Sequence, residues 1–116
     1  MSLTKKRKLR KGQIEEVKKK GIFYQATPFS LRYRQVDPQK PSSFAFVISK
    51  KVSKQATARN RTRRLFSGNV RELLDRCQPG YEVIFLVKSE ALNLGKEEIA
   101  AEVEKALTSI GLLKND

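Results

Sequence analysis

The sequence has 116 residues, a net charge of +13, no histidine and one cysteine, Cys77. That length supports one domain with a single core. The absence of histidine excludes Ser-His-Asp and Cys-His catalysis, and one cysteine alone can form neither an internal disulfide nor a zinc site. No apolar run reaches the length of about 20 residues that a membrane span needs, and residues 1–11 lack the apolar segment of a secretory signal. We therefore expect a cytoplasmic protein with no membrane partner.

The charge is divided unevenly along the chain. Residues 1–71 carry 20 basic and 3 acidic side chains, a net charge of +17, whereas residues 72–116 carry 5 basic and 9 acidic ones, a net charge of −4. Like charges at this density destabilise a compact state unless something negative neutralises them. The first part of the chain is therefore expected to face a polyanion, and the second part to be an ordinary solvated surface.

The predicted elements begin after a basic N-terminal segment, residues 1–9, which we expect to be flexible. Residues 12–20, GQIEEVKKK, place acids early and lysines late, as the helix dipole favours, and Gly21 is a typical C-terminal stop. Residues 23–36, FYQATPFSLRYRQV, alternate with period two and predict a strand with an apolar and a basic face. Its apolar side is formed by Phe29, Leu31 and Tyr33 and its basic side by Ser30, Arg32 and Arg34. After a Pro- and Ser-rich turn, residues 43–49, SFAFVIS, predict a second strand.

The second half of the chain predicts helix, strand and helix. Helix resumes near residue 55, with an apolar stripe that steps by three or four residues: Thr62, Phe66, Val70, Leu73 and Cys77. Gly68 within this helix either allows close approach to the sheet or marks a kink. Residues 78–81, QPGY, end the helix, and residues 82–88, EVIFLVK, predict a central strand covered on both faces. After a turn at residues 93–96, a last helix has the apolar stripe Ile99, Val103, Ala106, Leu107 and Ile110.

The order of these elements indicates the fold class. Helix, strands, helix, strand and helix follow one another without a repeat or an internal linker. Strands mixed with helices of this length predict an α/β domain, arranged as a two-layer sandwich around one mixed sheet. We expect residues 1–116 to form this single domain.

Residues 49–66, SKKVSKQATARNRTRRLF, concentrate the positive charge where the pattern predicts a loop followed by a helix. No acid occurs between Asp37 and Glu72, although solvated helices usually mix charges of both signs. The first turn of a helix offers free backbone N–H groups and the positive end of the dipole, and guanidinium groups pair two phosphate oxygens at once. We therefore predict a phosphate-binding surface formed by Lys50, Lys51, Lys54, Arg59, Asn60, Arg61, Arg63 and Arg64.

The same segment resembles the signature of the protein subunit of bacterial ribonuclease P. In that family a strand ending in a Ser-Lys-Lys-like turn precedes a helix carrying Arg-Asn-Arg-x-x-Arg. The matching residues here are Ser49, Lys50, Lys51, Ala56, Arg59, Asn60, Arg61 and Arg64. Residues 9–21, LRKGQIEEVKKKG, are similar to the family's first helix, and residues 28–34, PFSLRYR, to the strand that follows. Residues 80–88, GYEVIFLVK, resemble its last strand, with Glu82 and Lys88 where Asp and Arg are usual.

The resemblance implies a fold and two RNA-binding surfaces. The fold is a single α/β domain with a mixed four-stranded sheet, three helices and a left-handed βαβ crossover. The crossover helix contacts the catalytic RNA, and a cleft between the first helix and the sheet receives the 5′ leader of precursor tRNA. In this sequence the residues assigned to that cleft are Ile14, Val17, Lys18, Phe29, Arg32, Tyr33 and Arg34.

The resemblance also implies the chemistry, namely endonucleolytic removal of the leader in tRNA 5′ maturation. Phosphodiester hydrolysis is carried out by Mg²⁺ ions that the RNA holds, while the protein improves substrate affinity. The chain is then expected to provide no catalytic residue, metal ligand or cofactor, and to be one copy in a one-to-one complex with ribonuclease P RNA. The acids of the basic half agree with this expectation. Glu15 and Glu16 are more simply residues of the first turn of a helix, and Asp37 is more simply a turn residue.

Two features depart from the family pattern. The family often has aromatic residues on the cleft face of the first helix, where this chain has Ile14, Val17 and Lys18. Stacking on leader bases is then expected from an aromatic residue elsewhere: Phe23, Tyr24, Phe29 or Tyr33. After Arg64 the family commonly continues with Arg and an acid, where this chain has Ser67 and Gly68. We therefore expect a shorter RNA contact at that end of the helix.

Two other classes of nucleic-acid-binding protein share part of this pattern. A structural ribosomal RNA-binding protein would have the same charge and size. It is distinguished because it would not raise the cleavage of precursor tRNA by ribonuclease P RNA at low magnesium. A DNA-binding helix-turn-helix module is disfavoured, because a strand and a loop precede the basic helix where that motif has a helix and a tight turn.

Overall fold

Three α-helices and four β-strands occupy residues 7–114, the part of the chain that the structure, a computed structural model, describes. In chain order they are α1 Lys11–Lys20, β1 Ile22–Gln25, β2 Phe29–Gln35, β3 Ser43–Val47, α2 Ala56–Leu73, β4 Tyr81–Val87 and α3 Lys96–Ser109. Short 3-10 turns follow α2 and β4. The three predicted helices and the central strand are thereby confirmed.

The strands form one mixed sheet in the order β1-β2-β4-β3. β2 pairs antiparallel with β1 on one side and with β4 on the other, in a register that sets Phe29 opposite Val87 and Gln35 opposite Tyr81. β3 pairs parallel with β4. Because parallel neighbours cannot be joined by a hairpin, the chain crosses over between them through α2. The mixed four-stranded sheet with three helices is confirmed, while the handedness of this crossover stays a prediction.

The interpretation of residues 23–36 as one strand was wrong. The segment forms two antiparallel strands, β1 and β2, joined by a tight turn in which the backbone N–H of Ala26 donates to the carbonyl of Phe29 at 2.9 Å. Pro28 lies in this turn, where its missing N–H removes no ladder hydrogen bond. Period-two alternation continues through so short a turn, so the pattern alone could not show where the first strand ends.

Helices lie on both faces of the sheet. On one face α2 and α3 pack over the main core, where the ring centroids of Phe29 lie 5.5 Å from Phe66 and 5.3 Å from Phe85. On the other face α1 buries Val17 against Ile84. Alternate residues of β4 serve the two cores, which is why that strand is apolar along nearly its whole length.

The basic helix α2 departs from its prediction in two details. Its α-helical part ends at Leu73, and one 3-10 turn carries the chain to Arg76. Gly68 neither approaches the sheet nor breaks the helix, because a Cβ built there would meet no atom within 4 Å and α2 is continuous through it. Gly68 therefore lies on an open side of the helix.

Residues 7–9 are attached to the sheet and are not part of a flexible arm. The backbone N–H of Leu9 donates to the carbonyl of Phe44 at 3.0 Å, and Lys8 forms an isolated parallel bridge to the same residue. The Leu9 side chain joins the core beneath α1. The rest of the predicted flexible segment, residues 1–6, lies outside the described residues.

Candidate nucleic-acid interface

The first turns of α2 are positively charged throughout. The N-cap residue, Gln55, makes no side-chain hydrogen bond to the helix, and the first turn contains no acid. The free N–H groups and the positive end of the helix dipole therefore coincide with the arginines of this segment, an arrangement that repels cations and attracts anions. An anion at this end of the helix would relieve that repulsion.

Three arginines of α2 point into solvent. Arg61, Arg63 and Arg64 are exposed, and within residues 7–114 no carboxylate lies within ion-pairing distance of any of them. Arg63 is oriented within the helix, because its Nη1 donates to Asn60 Oδ1 at 2.9 Å. These guanidinium groups remain available for an external anion such as a phosphate.

The remaining residues of the predicted phosphate-binding surface lie at its loop end. Lys50, Lys51 and Lys54 are exposed in the loop that leads into α2. Arg59 is half-buried, and its Nη1 donates to the backbone carbonyl of Ser53 at 2.7 Å. All eight predicted residues thus lie on the first half of α2 or in the loop that leads into it, and Arg59 links this loop to the helix.

A second basic surface lies on the opposite face of the sheet, beside α1. Arg32 Nη1 donates to the backbone carbonyl of Lys18 at 3.2 Å, which holds the arginine next to the helix. Phe23 is the register partner of Arg32 on β1, and the Arg32 guanidinium carbon lies 5.3 Å from the centroid of the Phe23 ring. Half of the Phe23 surface is exposed, so an aromatic face and a cation are presented together. Ile14, half-buried on α1, lies along the same face.

Four residues that the sequence assigned to this cleft are placed differently by the structure. Val17 and Phe29 have no exposed surface, so neither can contact a ligand. Tyr33 belongs to the opposite face of the sheet, where its ring stacks on Tyr81 at 6.4 Å. Arg34 is on the correct face, but its Nε donates to Glu82 Oε1 at 2.8 Å.

The period-two alternation of β2 was enough to correct the assignment of Phe29 and Tyr33 from the sequence. Residues 29 and 33 have the opposite parity to Arg32, so period two places them on the other face. Only the pairing of β1 with β2 shows that Phe23 lies beside Arg32. The aromatic residue of this surface therefore comes from a neighbouring strand, which no spacing along the chain could have shown.

The phosphate-binding surface of α2 reaches the outer edge of the sheet at β3. β3 is a terminal strand, and Lys8 forms an isolated bridge to Phe44 along its outer edge. Arg63 of α2 and Lys8 line the same cavity at this edge. Phe23 and Arg32 lie at the other side of the sheet, on β1 and β2, so the two basic surfaces are separate.

Two of the three acids of the basic half are engaged in local interactions. Glu16 lies 3.3 Å from Lys20 Nζ and 3.9 Å from Arg34 Nη1, and Asp37 Oδ1 accepts from the backbone N–H of Gln39. Within residues 7–114 no three His, Cys, Asp or Glu side chains are grouped as metal ligands. No helix in that part of the chain combines the length and apolarity that crossing a bilayer requires.

The family model for ribonuclease P matches residues 3–111 of this sequence. The chain belongs to the ribonuclease P protein family. The ribonuclease P protein component of Synechococcus sp. (strain JA-2-3B'a(2-13)) is 40% identical over 73 residues, which cover 63% of this chain and 55% of that protein. The corresponding protein of Microcystis aeruginosa is 33% identical over 75% of this chain and 72% of its own length. The chain thus matches little more than half of the first of these relatives.

Solved ribonuclease P proteins share the fold. The Staphylococcus aureus protein superposes with a TM-score of 0.84 at 16% identity, covering 96% of this chain and 100% of its own. The Thermotoga maritima protein gives a TM-score of 0.79 at 17% identity over 88% of this chain and 96% of its own. At this level of identity the likeness establishes the fold alone.

Proposed function

We propose that this chain is the protein subunit of a ribonuclease P ribonucleoprotein and assists the RNA-catalysed removal of the 5′ leader from precursor tRNA. The observation that carries the proposal is the first half of α2, where exposed Arg61, Arg63 and Arg64 have no carboxylate partner among the described residues. Because these charges surround an uncapped helix N-terminus, a folded polyanion is the partner that fits them.

The second basic surface fits the single-stranded leader. Phe23 offers half of its surface for stacking, Arg32 lies against it, and exposed Lys18 borders the same face. Aromatic groups next to cations bind unpaired nucleotides with little sequence preference, since every base has a stacking face and every linkage a phosphate. Substrate leaders differ in sequence, so this type of contact suits the role.

Hydrolysis itself is assigned to Mg²⁺ ions held by the RNA partner. Glu16 is engaged with two cations and Asp37 with its own turn, which leaves Glu15, and one carboxylate does not make the ligand set of a metal centre on the protein. The role of this chain is then to bind and orient two RNA molecules, one copy of the protein per ribonuclease P RNA.

The test is reconstitution of the purified chain with ribonuclease P RNA and a precursor tRNA at low magnesium. We expect the protein to increase cleavage at the leader junction, and binding to weaken by on the order of a thousandfold between about 50 and 200 mM salt if about six phosphates are neutralised. Ribosomal RNA of similar length is the control. Tight binding to that RNA, with no increase in cleavage, would contradict the proposal and favour a structural ribosomal protein.

A further inference from the structure

We propose that the outer edge of β3 carries a pocket for one unpaired nucleobase of ribonuclease P RNA, an inference that rests on the function proposed above. The pocket is a cavity of about 270 Å³ lined by Lys8, Leu9, Phe44, Ala45, Phe46, Arg63 and Ser67. It is smaller than the roughly 300–1,000 Å³ of sites for drug-sized ligands. Its size therefore suits a single planar ring system.

The floor of the pocket is aromatic and rigid. Phe44 is almost fully buried, and the half-buried Phe46 ring stacks on Phe85 with 5.1 Å between centroids and an interplanar angle of 25°. A ring held in this way loses little conformational entropy when a base stacks on it. Base–aromatic stacking is worth about 1–3 kcal/mol per base in single-strand binding.

The rim of the pocket carries two cations. Arg63 is tied by its Nη1 to Asn60 Oδ1 at 2.9 Å, and Lys8 is held at the strand edge by its bridge to Phe44. Neither cation has a carboxylate partner among residues 7–114. When a base leaves its stack and enters a pocket, the phosphates on its two sides stay at the mouth, where these charges lie.

The backbone and the helix complete the site. Leu9 and Lys8 pair with β3 only at Phe44, so in the described part of the chain no strand pairs with the outer edge beyond that point. The backbone groups there provide hydrogen-bond partners for the polar edge of a base. On the other side Ser67, whose hydroxyl donates to the carbonyl of Arg64, is short enough to leave the cavity open.

A nucleobase fits this combination better than a protein segment does. An added β-strand would use the free edge and the apolar floor, but it has no use for two unpaired cations at the rim. A nucleotide uses all three features.

The experiment compares two variants that add the same neutral side chain to neighbouring positions of α2. Leucine is used because an arginine at position 67 could by itself extend the RNA contact of the helix. Ser67→Leu places the side chain in the cavity, whereas Gly68→Leu places it where a Cβ meets no atom within 4 Å. Affinity for ribonuclease P RNA is measured at one salt concentration, with thermal unfolding of both variants. We expect Ser67→Leu to weaken binding about tenfold, and Gly68→Leu to bind as tightly as the unmodified protein.

A third variant keeps the test decisive if Ser67→Leu misfolds. Phe46→Leu keeps an apolar side chain and removes the aromatic face, and we again expect affinity to fall about tenfold. Chemical modification of the RNA should then show an unpaired base that the unmodified protein protects and Phe46→Leu leaves reactive. If Ser67→Leu and Phe46→Leu both bind as tightly as Gly68→Leu, the pocket is not a base site. If the unmodified protein does not bind the RNA at all, the proposed function fails as well.

Discussion

Arg34 Nε donates to Glu82 Oε1 at 2.8 Å, across two neighbouring strands and beneath α1. The carboxylate side chain is 8% exposed, and its other oxygen accepts from Gln13 Nε2 at 2.8 Å. Arg34 therefore neutralises a buried charge of the protein and is not available to a phosphate. Arg32, two residues earlier on the same face, has no carboxylate partner within residues 7–114 and donates to a carbonyl. The two arginines of one strand thus have different roles.

Arg34→Ala should destabilise the fold by about 3–5 kcal/mol, because it leaves the Glu82 carboxylate buried without its cation. Urea unfolding measures this loss. Arg32→Ala is the matched control and should change the free energy of unfolding by less than about 1 kcal/mol. The double variant Arg34→Met with Glu82→Leu should recover most of the loss, since no charge then remains buried. Equal losses for Arg32→Ala and Arg34→Ala would show that the ion pair does not stabilise the fold.

Arg61→Ala and Arg64→Ala should each weaken binding to ribonuclease P RNA and leave the melting temperature nearly unchanged. Both side chains are exposed and lie off the apolar stripe of α2. If each contacts one phosphate, each substitution should also lower the slope of log affinity against log salt by about 1. Arg76→Ala is the control, because Arg76 already pairs with Glu104 at 2.7 Å. A fall in melting temperature that matches the fall in affinity would instead assign Arg61 and Arg64 to the fold.

Phe23→Ala should weaken binding of precursor tRNA to the reconstituted complex by about 1–3 kcal/mol if one leader base stacks on the ring. Binding of mature tRNA, which has no leader, should not change. Ile22→Ala is the matched control, since Ile22 is exposed on the same strand but faces the other side of the sheet. The comparison is made by equilibrium binding with both RNA molecules. An equal effect of Phe23→Ala on the two RNAs would exclude a leader contact.

Cys77 should make the stability of the protein decrease at alkaline pH. Burial raises the pKa of the thiol from 9.0 to about 11, against the smaller opposing effect of the Arg7 and Arg76 charges. The unfolded chain therefore loses this proton at a lower pH than the folded protein does, so the stabilisation is complete below pH 9.0 and is lost as pH rises toward about 11.

Urea unfolding below and above pH 9.0 tests this dependence. Other charge changes of the protein also affect its stability at alkaline pH, so the measurement is the difference between the unmodified protein and Cys77→Ala. The free energy of unfolding of Cys77→Ala should fall less steeply with pH. If the free energy of unfolding falls equally steeply with pH for both proteins, the raised pKa of the Cys77 thiol is contradicted.

Asn69→Leu should raise the free energy of unfolding by about 1 kcal/mol or more. The Asn69 side chain is buried between α2 and α3, beside Ala100 and Ala101, and neither of its amide atoms has a hydrogen-bond partner among the described residues. A buried amide without a partner costs about 1–3 kcal/mol, which an apolar side chain of similar volume removes. Asn60→Leu, at an exposed position of the same helix, should give no such gain. A destabilised Asn69→Leu would indicate that the amide is satisfied in solution.

The sequence by itself determined the elements and the surface on α2. Apolar residues at helical spacing placed α2 and α3, and a near-continuous apolar run placed β4, because local periodicity follows from which side of an element is buried. The eight residues of the phosphate-binding surface lie close together because they are consecutive or nearly so. A local charge pattern needs no tertiary information to form one surface.

Features that depend on contacts between residues far apart in the sequence were decided by the tertiary structure alone. The pairing of β1 with β2 places Phe23 beside Arg32, and the pairing of β2 with β4 places Arg34 beside Glu82. The position of α1 over the second face of the sheet made Val17 a core residue. Strand register and helix placement are set by the pairing of strand and helix faces that buries the most apolar surface. A single sequence shows which face of an element is apolar, but not which other element that face packs against.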